Sequence, residues 1–262
     1  MPDINYPDIN YTDKDDVFYP TASNAVIASL PVTLFYHEDK LKLEQKLQQW
    51  GKVWQNSSEI NPSNLAIGYV IAQALTEQLY PKTIIPKIID YIGEKEPLVG
   101  QLRKVEQLID RRANLDTAIT QLSKNVKSFS KQQIFSEQQE NSISCPFFIP
   151  TCLALYCFLS TPEDMNLAIL RGARTKWPTQ ICTIVGTLSG AYNSTAGIPV
   201  EWRKKMGGEL LGINEAEILK LAKNLWAVWC GVYDPNNMTQ NIVPAVAASN
   251  VIRPRPRKAS GY

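Results

Sequence analysis

Residues 147–202 read FFIPTCLALYCFLSTPEDMNLAILRGARTKWPTQICTIVGTLSGAYNSTAGIPVEW, and the spacing within this stretch decides the fold class. From Pro178 to Asn193, the residues Ile181, Ile184, Val185, Leu188 and Tyr192 recur at helical intervals and form one apolar face. Cys182, Gly186 and Gly190 recur every four residues beside it. Such a stripe of small side chains predicts a second helix in close approach, and it places Pro178–Asn193 at the centre of the domain. Upstream, Thr161-Pro-Glu-Asp164 has the form of a capping box ahead of a helix. The run Phe147–Leu159 is the most apolar in the chain, but its 13 residues are too few to cross a bilayer.

Working outward, helical signals continue. Asn61-Pro62 supplies an N-cap and a proline at the first helical position, followed by Leu65, Tyr69, Ala72 and Leu79 at helical spacing. With Ala66, Ile67, Val70, Ile71 and Leu75 between them, Pro62–Leu79 is apolar on most sides and reads as a central buried helix. Asn214 with Glu217 caps a further helix whose Ile218, Leu221, Leu225 and Trp229 share a face, and Gly231 is placed to end it. Between Leu98 and Glu140 the chain is rich in Gln, Lys, Ser and Arg. There Leu102, Val105, Leu108 and Ile109 make a narrow stripe, which predicts exposed helices and a polar loop. No long run alternates apolar and polar residues, and no Asn-Gly or Asp-Gly hairpin signal occurs. The expectation is an all-α, compact helical domain over residues 21–232. Residues 1–20, with the tandem copies Pro2–Tyr6 and Pro7–Tyr11, read as a tail; residues 233–262, with Pro235, Pro244, Pro254 and Pro256, read as an irregular one.

Composition narrows the functional classes. The 262 residues are 44% hydrophobic and 20% charged, the balance of an ordinary globular protein. A net charge of +2 implies no strong electrostatic partner, and the one short basic cluster, Arg253 to Lys258, reads as a solvated tail, so no nucleic-acid partner is expected. Five cysteines, an odd number without a Cys-x-x-Cys pair, argue against a disulfide framework or a zinc site and for free thiols in a reducing compartment. The first residues carry no basic n-region and no apolar h-region. A cytoplasmic protein without a membrane partner is the expectation.

Two segments resemble the ADP-ribosylglycohydrolase family. In residues 147–202, Gly186, Gly190-Ala191-Tyr192 and Ile198-Pro199-Val200-Glu201-Trp202 fall in register, without a gap, on that family's C-terminal signature. Ser23-Asn24 and the following residues to Pro31 and Tyr36 are similar to its Gly-Asn-Gly-x-x-Met-Arg-x-x-Pro helix. The resemblance implies an orthogonal bundle of helices and, in the family, hydrolysis of a glycosidic bond of ADP-ribose by a magnesium pair. Carboxylates of an N-terminal Thr-Asp-Asp and a C-terminal Asp-Thr-Asp-Thr hold that pair.

Aligned back from Gly190-Ala191-Tyr192, the two aspartates of the C-terminal motif fall on Trp177 and Thr179, and the two threonines on Pro178 and Gln180. Hard divalent cations need several oxygen ligands, chiefly carboxylates, so the family's magnesium site reads as lost and no metal or other cofactor is expected. The Thr-Asp-Asp element belongs well upstream of Ser23; Asp15-Asp16 stands too near and follows Lys14. Ala28 replaces the motif's arginine. No nucleophile elbow or phosphate loop occurs, and the single histidine, His37, reads as a helix-end residue. The resemblance therefore implies a family member without catalytic residues, acting as a ligand- or protein-binding regulatory module. Its candidate ligand-binding residues are Ser23, Asn24, Arg174, Lys176, Trp177 and Thr179. The ligand they imply is ADP-ribose-like or phosphate-bearing: Arg174 and Lys176 meet phosphate oxygens and Trp177 stacks. An active hydrolase and an assembly protein are the alternatives.

Overall fold

The computed structural model describes residues 22–53, 60–93, 98–123, 148–206 and 215–231. The expected tails, Asp15-Asp16, Cys145, Asn214 and the basic cluster lie outside these residues. Among the described residues the chain is helical without a β-strand, as the spacing predicts. In order the helices are α1 (Ala22–Ala28), α2 (Leu30–Tyr36), α3 (Lys40–Val53), α4 (Ile60–Leu75), α5 (Ile84–Ile92), α6 (Leu98–Asp110), α7 (Leu115–Ser123), α8 (Phe148–Leu159), α9 (Met165–Ala173), α10 (Pro178–Asn193), α11 (Val200–Met206) and α12 (Glu215–Trp229).

The centre belongs to α8. All twelve of its residues are buried, and it packs against α6, α7, α9 and α10, with smaller contacts to α1 and α4. A helix apolar all round is stable only when surrounded, and each large apolar side chain buried here contributes about 1.5–3 kcal/mol. Tyr156 sits within it because its hydroxyl donates to the Ala113 carbonyl, 2.5 Å away between α6 and α7. Burial pushes its thiols up, Cys157 to about 12, and Cys152 likewise rises well above the ordinary value, so neither is a nucleophile at neutral pH. α4 is the second interior helix, with Leu65 through Ala72 all buried, its glycine included. At Gly68 an added Cβ would lie 2.5 Å from Leu47 Cδ1 and 3.2 Å from Thr33 Oγ1, so α4 meets α2 and α3 through its missing side chain.

Several local expectations shift. α10 buries Ile181, Ile184, Val185, Leu188 and Ser189 against α1, α4, α8 and α9, but its other side is open. It is a flanking helix, and its small-residue stripe is not a tight crossing. A Cβ on Gly186 would meet only Ile169 Cδ1 at 3.8 Å, and one on Gly190 nothing within 4 Å. The close contact is made by the facing helix: a Cβ on Gly172 of α9 would lie 3.2 Å from both Cys182 Sγ and Ile181 Cγ2. The cap of α9 is Asp164, not Thr161; its carboxylate accepts from Leu167 N at 2.9 Å. Segment 23–36 divides at Ser29, where Pro31 can neither donate to nor fit beside a continuing turn. α4 starts at Ile60 and ends at Leu75, with Glu77 left-handed (φ 57°) and Leu79 buried beyond the helix. Pro62 thus lies inside the first turn, where a missing N–H costs nothing. α6 is a packed amphipathic helix, burying Leu98, Val99, Gln101, Leu102, Val105 and Leu108.

Candidate functional site

The positions that align with the family's acidic motif join α9 to α10. Residues 174–177 alternate between outside and inside. Thr175 is buried, its hydroxyl donating to the Gly172 carbonyl at 2.6 Å. Trp177 is half-buried and packs against the core as the N-cap of α10, with Ile181 N donating to its carbonyl at 3.1 Å. Arg174 and Lys176 point out. The Arg174 side chain is 70% exposed and reaches Asp116 of α7 only at 4.0 Å. Lys176 lies over the Trp177 ring, Nζ 5.5 Å from its centroid, a weak cation–π contact at an exposed position. With the core on one side of the indole and Lys176 over it, stacking by a base at Trp177 is already contested.

Thr179 is exposed, and its carbonyl accepts from the Thr183 hydroxyl at 2.7 Å within α10. Ser23 and Asn24 stand on α1, a helix that packs against α10; their side chains lie outside the described residues. The fold thus brings the helix bearing Ser23 and Asn24 against the helix bearing Thr179. Arg174 and Lys176 lie exposed on the joint that leads into the second of these helices.

The far end of this unit is fixed by packing. Asn193 Nδ2 donates to the Pro162 carbonyl at 2.8 Å, and Tyr192 meets Phe158 edge to face, centroids 5.8 Å apart. Arg171 of α9 donates to Ser160 Oγ and, at 3.5 Å, to Thr161 Oγ1. These contacts tie α8, α9 and α10 together at this corner of the bundle. His37 is the C-cap of α2, its Nδ1 2.7 Å from the Leu34 carbonyl and its ring stacked on Trp229 at 5.5 Å. It is a joint between helices.

Two features escaped the sequence reading. Ser63 and Asn64 of α4, Thr151 of α8 and Ser189 of α10 are buried in the interior without hydrogen-bond partners. They lie within otherwise apolar helices, and only their polarity in an apolar run marks them. An open cavity of about 340 Å³ lies between α5 and α6, lined by Pro86, Ile89, Asp90, Arg103, Glu106 and Gln107. None of the candidate residues lines it.

Residues 10–235 match the sequence model of ADP-ribosylglycohydrolase. No curated protein and no solved structure matches the chain. The matched range covers every described helix. It also covers positions 177–180, which carry an indole, a proline ring, a hydroxyl and an amide and no carboxylate. That set does not fit a hard divalent cation. Among the described residues no group of three or more His, Cys, Asp or Glu is placed to hold a metal ion. No helix there is long and apolar enough to cross a membrane.

Proposed function

Because this chain belongs to the ADP-ribosylglycohydrolase family, we propose that it keeps the family's helical scaffold without metal-dependent hydrolysis and serves as a protein-binding, regulatory module. One observation carries this reading. Trp177, aligned with the first aspartate of the family's C-terminal motif, packs its indole against the core at the N-cap of α10. A half-buried apolar ring here offers no lone pair to a cation, and packing stands where the motif's charge would be. Arg174 and Lys176 add positive charge beside it, which opposes a divalent cation further.

The ligand-binding alternative rests on the same two cations, which can pair with phosphate oxygens. Against it, both are solvent-facing, and Lys176 lies over the ring that a base would stack on. A surface with exposed cations beside a covered aromatic suits an acidic segment of a protein better than an enclosed nucleotide.

Purified protein is expected to hydrolyse neither ADP-ribosyl-arginine nor ADP-ribosyl-serine, with or without magnesium. Magnesium-dependent turnover above the uncatalysed background would overturn the reading. Titration calorimetry with ADP-ribose, ADP and inorganic phosphate separates the two binding alternatives: no heat at millimolar ligand supports the protein-binding one.

A further inference from the structure

The last described helix, α12, is built inside out. Its attachment to the body is through the final turns: Ala227 is buried, Asn224 and Val228 are half-buried, and Trp229 stacks on His37 of α2. Residues 216–223 are all exposed. At 3.6 residues per turn, Ala222 lies on the far side of the helix from Asn224, Ala227 and Val228. Its same-face neighbours, three and four residues to either side, are Ile218, Leu219, Leu225 and Trp226. Ile218 is 43% exposed, Leu219 46%, Trp226 57%, and the adjoining Leu221 70%, whereas Leu225 is half-buried and Trp229, two turns beyond Ala222 on the same side, is held by His37. From Ile218 to Trp226 this face of α12 is apolar and mostly open, closing against α2 only at its C-terminal end, while Lys220 and Lys223 lie off its centre.

We propose that this face is the contact surface for a second copy of the chain, with two α12 helices crossing antiparallel about Ala222. Four arguments favour a copy of itself. The pattern reads alike in both directions from Ala222: large apolar residues at three and four positions before it and after it, around one small side chain. A two-fold contact requires this property, since each residue i meets j while j meets i. Ile218 of one copy then faces Trp226 of the other, and Leu219 faces Leu225. Ala222 at the axis lets the backbones approach, as ridge-into-groove packing needs.

The remaining two arguments are size and charge. The exposed apolar side chains offer on the order of 400 Å² per copy, comparable to the largest apolar patch of a typical monomer, which is often functional. Two such patches, with the aliphatic stems of Lys220 and Lys223, reach about 1,000 Å², the lower bound for a specific interface. A net charge of +2 leaves two copies little reason to repel. This contact is independent of positions 174–180, so it stands or falls apart from the loss of hydrolysis.

Sedimentation velocity on the full chain is expected to show a concentration-dependent monomer–dimer equilibrium. Ala222→Glu, which places a charge at the axis, is expected to raise the dissociation constant at least about tenfold with unchanged melting temperature, because Ala222 is exposed. As a second readout, Ala222→Cys is expected to give a covalent dimer on mild oxidation, beyond any formed by the unaltered chain, whereas Lys220→Cys, off the crossing, is not. A monomer at every concentration, a dimer untouched by Ala222→Glu, or equal crosslinking at the two positions would overturn the proposal.

Discussion

Phe158→Ala is expected to destabilise the protein by about 3–5 kcal/mol, the range for a large aromatic removed from a core. Phe158 is fully buried in α8, and its ring meets Tyr192 of α10 edge to face. Truncation leaves a cavity between the helix at the centre and the helix that carries the family's signature. For a domain of this size the melting temperature falls by roughly 2–4 °C per kcal/mol, so the loss is visible in a simple thermal scan. Phe158→Leu, which keeps much of the volume, is expected to lose far less. Equal melting temperatures for the alanine variant and the unaltered chain would contradict the placement of α8.

The second large effect is at the altered motif. Trp177→Asp, which writes back the residue type that the alignment places there, is expected to lower stability by about 2–3 kcal/mol. Half of an indole's apolar burial is lost and a carboxylate is set against apolar neighbours. Trp177→Phe retains most of the packing and is expected to melt close to the unaltered protein. Neither variant is expected to gain magnesium-dependent hydrolysis, since one carboxylate among Pro178, Thr179 and Gln180 is too few oxygens for the ion. If Trp177→Asp melted as the unaltered chain does, the indole would not be filling space, and the core-packing reading of this position would fail.

The helical class was legible because the strongest sequence signals are periodic. The faces Ile181–Leu188 and Leu102–Leu108 both turn inward as their spacing predicts. What the spacing hid was which helix is central. Phe148–Leu159 has almost no periodicity because every side faces protein, and a run without a polar side gives no direction to read. The small-residue stripe of α10 misled for a related reason. Spacing shows that Cys182, Gly186 and Gly190 share a side, but not that the close neighbour, Gly172, lies on the other helix.

At the candidate site, the absence of a carboxylate from positions 177–180 is plain in the sequence. The in-and-out alternation of Thr175 and Trp177 against Arg174 and Lys176 is not, because a four-residue joint has no period. α12 shows the limit from the other side. Its spacing makes an apolar face of Ile218, Leu221, Leu225 and Trp229, which would ordinarily be assigned to the core, and the fold leaves two of the four, Ile218 and Leu221, in solvent.

On the proposed reading, this family scaffold holds no metal pair. Manganese, a spectroscopic stand-in for magnesium with similar oxygen ligands, tests it most directly. Free hexaaqua Mn²⁺ gives a sharp six-line electron paramagnetic resonance signal that fades on binding. With the full chain in excess over submillimolar Mn²⁺, the expected result is a signal of undiminished intensity. A stoichiometric loss of signal, reversed by added Mg²⁺, would contradict the account.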